Sequence, residues 1–416
     1  MNSEERILRS FDEVCPHELR ETFGTPLFVY SQSILEQQYA ALARALHNVS
    51  ATICYAMKAN SNMSVLKVLK RIGSGFDIVS SGELQRLVKI EADMSKVVFS
   101  GVGKRDEEIT LALQQGVKML NVESIPELKK IDSVAKREGI VAPVSFRLNP
   151  DMTHEVHEHD VTGTRASKFG ISPEFMSEFW EIVKKSQWLK LKGVSCHVGS
   201  GGADIEVYRN VFKEQLKVAG QFKELGAEIS CIDLGGGFAA NYGGSYTPID
   251  LAKLGSLIES IAAGNEYEFI VEPGKFLVSE AGILLTEVLY VKNNGIRDIV
   301  IVDSGMNDLI RPPLYNAYHE IDLVLTESEK PREGTNFVDV VGPVCEGGCF
   351  FARNRELPEI KQGDLLAIKN AGAYCFAMAS QYNGRRLPAE VLVHQGNSTL
   401  IRKRDSIEDL WRNELI

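Results

Sequence analysis

No uninterrupted apolar run in this 416-residue chain is long enough to span a bilayer, which excludes a helical membrane protein. Met1-Asn2-Ser3-Glu4-Glu5-Arg6 is charged, and no apolar signal core follows it, so the sequence reads as cytoplasmic. Basic excess is missing too: 46 Lys and Arg face 56 Asp and Glu, a formal net charge of -10. That balance argues against nucleic acid or an anionic membrane as a main partner. Cysteines are few and unpaired in pattern. The seven are odd in number and scattered, as expected of reduced thiols. Cys345 and Cys349 resemble half a zinc site, but no second pair follows, and no metal is expected. Low-complexity linkers and repeats of solenoid length are absent. What remains is ordinary globular composition, 44% hydrophobic and 25% charged, in a chain long enough for two domains.

Strand and helix patterns alternate between about residues 35 and 277. Candidate strands fall at 52–57, 75–79, 97–100, 118–122, 144–149, 193–197, 229–234 and 268–272. Ser64 is placed to cap a helix over 65–72 that Gly73 stops, and Ser124 with Glu127 forms a capping-box pattern. Eight such units over roughly 250 residues predict a (β/α)8 barrel. Runs such as Gly193-Val194-Ser195-Cys196-His197 are nearly continuous, as in strands buried on both faces. After 277 the chain turns β-rich, with runs at 282–291, 298–303, 336–341, 363–369, 389–394 and 398–402. The segment 26–30 reads as one more strand of that part. The predicted division is a barrel over 31–277 and a β domain made of 1–30 and 278–416.

Barrels of this kind place chemistry at the C-terminal ends of their strands. The first strand ends at Lys58, and a lysine there is costly to desolvate; the free amine it then offers can form a Schiff base. Asp77 lies on the second strand, Arg147 and Asn149 end the fifth, and His197 ends the sixth. Gly235-Gly236-Gly237 follow the seventh, and with Ser200 they suggest a backbone cradle for phosphate. Gly235, Gly237 and Ala240 also fit a dinucleotide fingerprint. That motif needs a helix at once, whereas Asn241-Tyr242-Gly243-Gly244-Ser245 reads as loop. Glu272 ends the eighth strand, where a buried carboxylate needs a cationic partner: Lys275 nearby, or a protonated ring nitrogen. Schiff-base lysine, phosphate cradle and carboxylate together describe a pyridoxal phosphate site, on which His197 could stack.

Those residues carry a resemblance. Tyr55-Ala56-Met57-Lys58-Ala59-Asn60, Gly75 to Ser80, Lys168-Phe169-Gly170-Ile171, His197-Val198-Gly199-Ser200, Asp233 to Phe238, Glu272-Pro273-Gly274, Arg311-Pro312-Pro313-Leu314-Tyr315, Gly342 to Glu346, Gly372-Ala373-Tyr374 and Pro388 to Leu392 occur in one order over nearly the whole chain. In this the chain resembles the fold-type III pyridoxal phosphate decarboxylases, most of all the branch that converts meso-diaminopimelate to L-lysine and CO2. The resemblance implies an alanine-racemase-like plan, a (β/α)8 barrel with a β-sandwich- or barrel-like domain, and a homodimer with shared active sites. It implies that Lys58 holds the cofactor and that His197 stacks on it. Asp77, Ser200, Gly235, Gly236, Gly237, Glu272, Pro273, Gly274, Lys275 and Tyr374 would surround the cofactor. Arg311, Tyr315 and Glu346, with Lys275 and Tyr374, would contact substrate. Cys345 and Glu346 would come from the partner subunit, Cys345 as a catalytic residue. A substrate with an amine and a carboxylate at each end suits Arg311 for the distal carboxylate and Glu346 for the distal ammonium.

Two positions depart from the family pattern: Lys275 replaces an arginine, and Cys349 replaces an acid. Lysine keeps the charge and loses the planar fork. These departures motivate one rival, a decarboxylase of ornithine, arginine or a siderophore intermediate. The Arg311 segment opposes it, because a simple diamine precursor has no distal carboxylate. A racemase on the same plan would set arginine against the ring nitrogen where Glu272 stands. A non-catalytic cofactor-binding paralogue would be expected to lose Lys58, Cys345 or Glu346, and all three are present.

Overall fold

The computed structural model describes residues 7–152, 163–243, 247–332 and 334–415. His154, His157 and His159 lie outside the described residues. The chain divides into two compact units. One comprises Gln38–Ala240 and Pro248–Phe276; the other comprises Met1–Gln37, Asn241–Thr247 and Leu277–Ile416. The segment Asn241–Thr247, counted with the barrel on sequence grounds, therefore groups with the β-rich unit. Among the described residues no helix is long and apolar enough to cross a membrane.

Eight parallel strands close the first unit into a barrel: Ala51–Ala56, Gly75–Ile78, Val97–Phe99, Met119–Val122, Ala142–Arg147, Leu189–Ser195, Cys231–Gly236 and Glu268–Glu272. The last pairs with the first, Phe269 opposite Ala51. Inward-facing residues recur every second position along a strand. One inward layer is apolar: Cys54, Val98, Met119, Cys231 and Ile270 pack together and are almost fully buried. Two residues further along the same strands come Ser100, Asn121, Asp233 and Glu272, all buried. The interior thus changes from apolar to polar toward the strand ends. Gly75 and Gly193 make the apolar layer fit. A Cβ on Gly75 would lie 2.9 Å from Cys54 Sγ and 2.3 Å from the Lys96 carbonyl, and one on Gly193 would lie 2.6 Å from Cys231 Sγ.

The helices follow their local signals with two differences. Asn62, rather than Ser64, caps the helix Met63–Arg71, its side chain accepting the Ser64 N–H at 2.9 Å. Ser124 Oγ accepts the Glu127 N–H as expected, but the Glu127 carboxylate reaches the Glu123 N–H at 2.6 Å instead of closing the box on Ser124.

In the second unit ten strands form one branched, mainly antiparallel sheet. Its axis is Gly282–Asn293. The first half of that strand pairs with Leu27–Ser31 on one side and Leu365–Ile368 on the other, and the second half pairs with Asp298–Val302. Alternate residues Leu27 and Val29, Ile283 and Leu285, Leu365 and Ala367, and Val391 and Val393 fill one core cluster. Three strands were not legible: Ile7–Leu8, Ile321–Val324 and Phe350–Pro358. The first has only two residues. The third carries Arg353, Asn354, Arg355 and Glu356 at a sheet edge, where solvent removes the alternating pattern.

Candidate active site

Lys58 lies just past the first barrel strand, in a single 3-10 turn, Met57–Ala59. Its Nζ donates to Asp77 Oδ2 at 2.6 Å; Asp77 is fully buried, whereas the lysine side chain is 37% exposed. The lysine thus meets an anion here, where the sequence predicted only the cost of burying it. Asp77 Oδ1 is buried with no hydrogen-bond partner.

Glu272 is buried at the end of the eighth strand, and its Oε1 also lacks a partner. Burial, then the nearby carboxylates Asp233 and Asp77, push its carboxyl far above the usual range. It shares a hydrogen bond with Asp233, which burial raises to about 6. Burial therefore favours the neutral form of a carboxyl in this pair, more strongly at Glu272. Asp233 is anchored from below: its Oδ2 accepts from Asn121 Nδ2 at 3.1 Å, its Oδ1 from the Gly235 N–H at 3.0 Å.

His197 Nδ1 accepts the Gly236 N–H at 3.2 Å, so a neutral ring carries its proton on Nε2. Gly235 and Gly237 have left-handed φ values of 69° and 87°. A Cβ on any of Gly235, Gly236 or Gly237 would come within about 2 Å of a backbone carbonyl, so only glycine fits. The expected cradle is partly consumed by the protein itself. The Gly235 and Gly236 N–H groups bond Asp233 and His197, and those of Gly201 and Gly202 both bond the Gly237 carbonyl. A Cβ on Gly201 would lie 3.7 Å from Lys275 Nζ, which brings Lys275 to the same rim. Pro273 is tied to the first strand, its carbonyl accepting the Ala56 N–H at 3.1 Å.

Arg147 and Asn149 serve the scaffold. Arg147 pairs with Glu123 and lies 5.1 Å over the Phe169 ring, and Asn149 Nδ2 bonds the Phe169 carbonyl at 2.8 Å. Glu83 is a neighbour that the sequence reading passed over. Its carboxylate accepts the Val79 N–H at 2.7 Å, and burial, with repulsion from Asp77, pushes it up to about 7.

In the β-rich unit, Arg311 opens the short helix Arg311–Tyr315 and is buried. Its Nη1 donates to Tyr242 Oη at 2.9 Å and meets His319 Nε2 at 3.1 Å. Tyr315 ends that helix, half-buried. Cys345 and Glu346 sit on an exposed turn in which the Cys345 N–H donates to Asn383 Oδ1 at 2.7 Å. Cys345 is the only exposed cysteine among the described residues; burial raises the thiols of Cys196, Cys231 and Cys375 to about 12. Cys349 is buried, its sulfur accepting the Met306 N–H at 3.4 Å, so the departure at this position is a packing matter. Tyr374 takes a left-handed φ of 57°, strain of the kind that collects at functional sites.

Residues 32–279 match the family model for the pyridoxal-dependent decarboxylases, pyridoxal binding domain. The diaminopimelate decarboxylase of Haemophilus influenzae is 42% identical over 397 residues, 95% of each chain, and that of Neisseria meningitidis serogroup B is 41% identical over 97% of each. The crystal structure of diaminopimelate decarboxylase from Helicobacter pylori complexed with L-lysine superposes with a TM-score of 0.91 at 39% identity, covering 96% of this chain and 99% of that one. The chain belongs to the diaminopimelate decarboxylases. Its barrel rim fits the cofactor of such pyridoxal-dependent decarboxylases: it offers one amine at Lys58, and at Glu272 an unsatisfied buried acceptor suited to a protonated ring nitrogen.

Proposed function

We propose that this chain removes CO2 from meso-diaminopimelate to give L-lysine. The reading is supported above all by Lys58 and the unpartnered Glu272 Oε1 on one barrel rim, in a chain similar over 95% of its length to a diaminopimelate decarboxylase. Bound through Lys58, pyridoxal phosphate supplies an electron sink for the pair released when the Cα–carboxylate bond breaks.

Lys58 provides the amine, and Asp77 holds and orients it. Glu272 would face the ring nitrogen and favour its protonated form, and Asp233 keeps the Glu272 carboxyl in place. His197, fixed by the Gly236 N–H, would stack on the cofactor. Ser200, Gly235, Gly236, Gly237, Pro273, Gly274, Lys275 and Tyr374 would surround the cofactor and its phosphate. Arg311 receives the distal carboxylate, with Tyr315 beside it, and Glu346 receives the distal ammonium. A proton returns to Cα from Lys58 or from Cys345.

Cys345 and Glu346 act in the partner's site, so the functional species is a homodimer in the cytoplasm. The barrel unit would bind the cofactor, and the β-rich unit would contribute to the dimeric active site. Incubation of the holoprotein with meso-diaminopimelate should release CO2 and L-lysine in equal amounts, and Lys58→Ala should abolish both. Turnover by Lys58→Ala, or CO2 release from ornithine but not from meso-diaminopimelate, would overturn the assignment.

A further inference from the structure

The protein holds Arg311 between two aromatic side chains before any substrate arrives. Tyr242 Oη accepts from Nη1 at 2.9 Å, and the tyrosine ring centre lies 4.9 Å from the guanidinium carbon. His319 Nε2 stands 3.1 Å from the same nitrogen, and the two rings meet edge to face with centres 5.6 Å apart. The histidine is fully buried, and its tautomer can be deduced. Nδ1 lies 2.8 Å from the Lys369 carbonyl, which can only accept. The proton is therefore on Nδ1, and Nε2 offers its lone pair to Arg311. Tyr242 is held in turn: its hydroxyl lies 3.2 Å from Ser279 Oγ, and the carbonyl of the preceding Asn241 accepts from Asn370 Nδ2 at 2.9 Å.

Tyr242 and His319 both meet the guanidinium as neutral acceptors. A carboxylate in either place would hold it equally well but would repel an incoming anion. Tyrosine and neutral histidine fix its plane without adding negative charge of their own. They also remove the conformational freedom of the long side chain in advance, which favours binding.

We propose that Tyr242 and His319 are specificity-determining positioning residues, which lock the Arg311 guanidinium so that the site selects ligands bearing a distal carboxylate. This rests on the reading that Arg311 receives that carboxylate. The test compares two inhibitors of the holoenzyme. L-Lysine keeps the distal carboxylate of the substrate, and cadaverine lacks it. Tyr242→Phe and His319→Ala should each weaken L-lysine inhibition and raise KM for meso-diaminopimelate by about tenfold. Cadaverine inhibition and the absorbance of the bound cofactor should not change. His319→Gln, which keeps an acceptor near the Nε2 position, should recover much of the loss. General damage to the site would weaken both inhibitors together. If His319→Ala does not fold, Tyr242→Phe, which loses one oxygen atom, decides the matter alone. An unchanged ratio of L-lysine to cadaverine affinity in Tyr242→Phe would overturn the inference. Arg311→Met separates the two readings. If it too leaves the ratio unchanged, the assignment of Arg311 fails; if it destroys the ratio while Tyr242→Phe and His319→Ala do not, only the positioning role fails.

Discussion

Individual side chains near Lys58 are set by electrostatics that no spacing reveals. Glu83 illustrates this. Its position after Ser80 is that of an ordinary helix-capping acid, and its side chain does accept the Val79 N–H. Burial, however, pushes its carboxyl from the ordinary 4.5 up to about 7. A carboxyl with a raised folded-state pKa holds its proton more tightly in the native protein. Its stabilising contribution is complete below the ordinary value and is lost as pH rises through about 7. Glu83→Gln, which cannot titrate, should therefore gain stability relative to the parent between pH 5 and pH 8, by up to about 3 kcal/mol. Urea unfolding of both proteins at the two pH values measures this, and parallel curves would refute it. Lys58, Glu272 and the glycines were legible because each sits where a strand ends in this architecture. Tyr242, His319 and Glu83 were not. Tyr242 and His319 matter through a shared contact between residues 77 positions apart in sequence, and Glu83 matters through burial.

Secondary-structure elements repeat the pattern. All eight barrel strands were legible because each is a short apolar run between good helix signals, and the closed barrel buries every one. Boundaries were less legible, since a cap is a geometric event. Asn62 and Ser64 are both good capping residues by type, and only the turn after Lys58 decides between them. Asn62→Ala should cost about 1 kcal/mol, and Ser64→Ala only a few tenths, in thermal or urea unfolding. Equal losses would return the cap to Ser64. In the β-rich unit, strands with an alternating buried face were found, and the charged edge strand Phe350–Pro358 was missed. Sheet edges lack the packing that writes a pattern into sequence.

For the whole molecule, the shared-site reading makes a direct demand. Lys58→Ala and Glu346→Ala, each inactive alone, should regain activity when mixed and allowed to exchange subunits. Random pairing makes half of the dimers mixed, each with one intact site of two, so about a quarter of parental activity is expected. No recovery after demonstrated exchange would mean that Lys58 and Glu346 of one chain serve the same site. The turn carrying Cys345 and Glu346 is exposed on its own chain, as such a role requires.

The sequence by itself determined the two-part plan and the barrel order. These follow from periodicity, which each strand and helix must obey locally to bury its apolar face. Tertiary structure alone decided that Glu272 and Asp233 are buried together, where burial raises both carboxyls. It also decided that the glycine N–H groups serve the protein before any phosphate, and that Tyr242 and His319 converge on one nitrogen of Arg311. Burial and contact depend on chain closure over long separations, and no local pattern of residues encodes them.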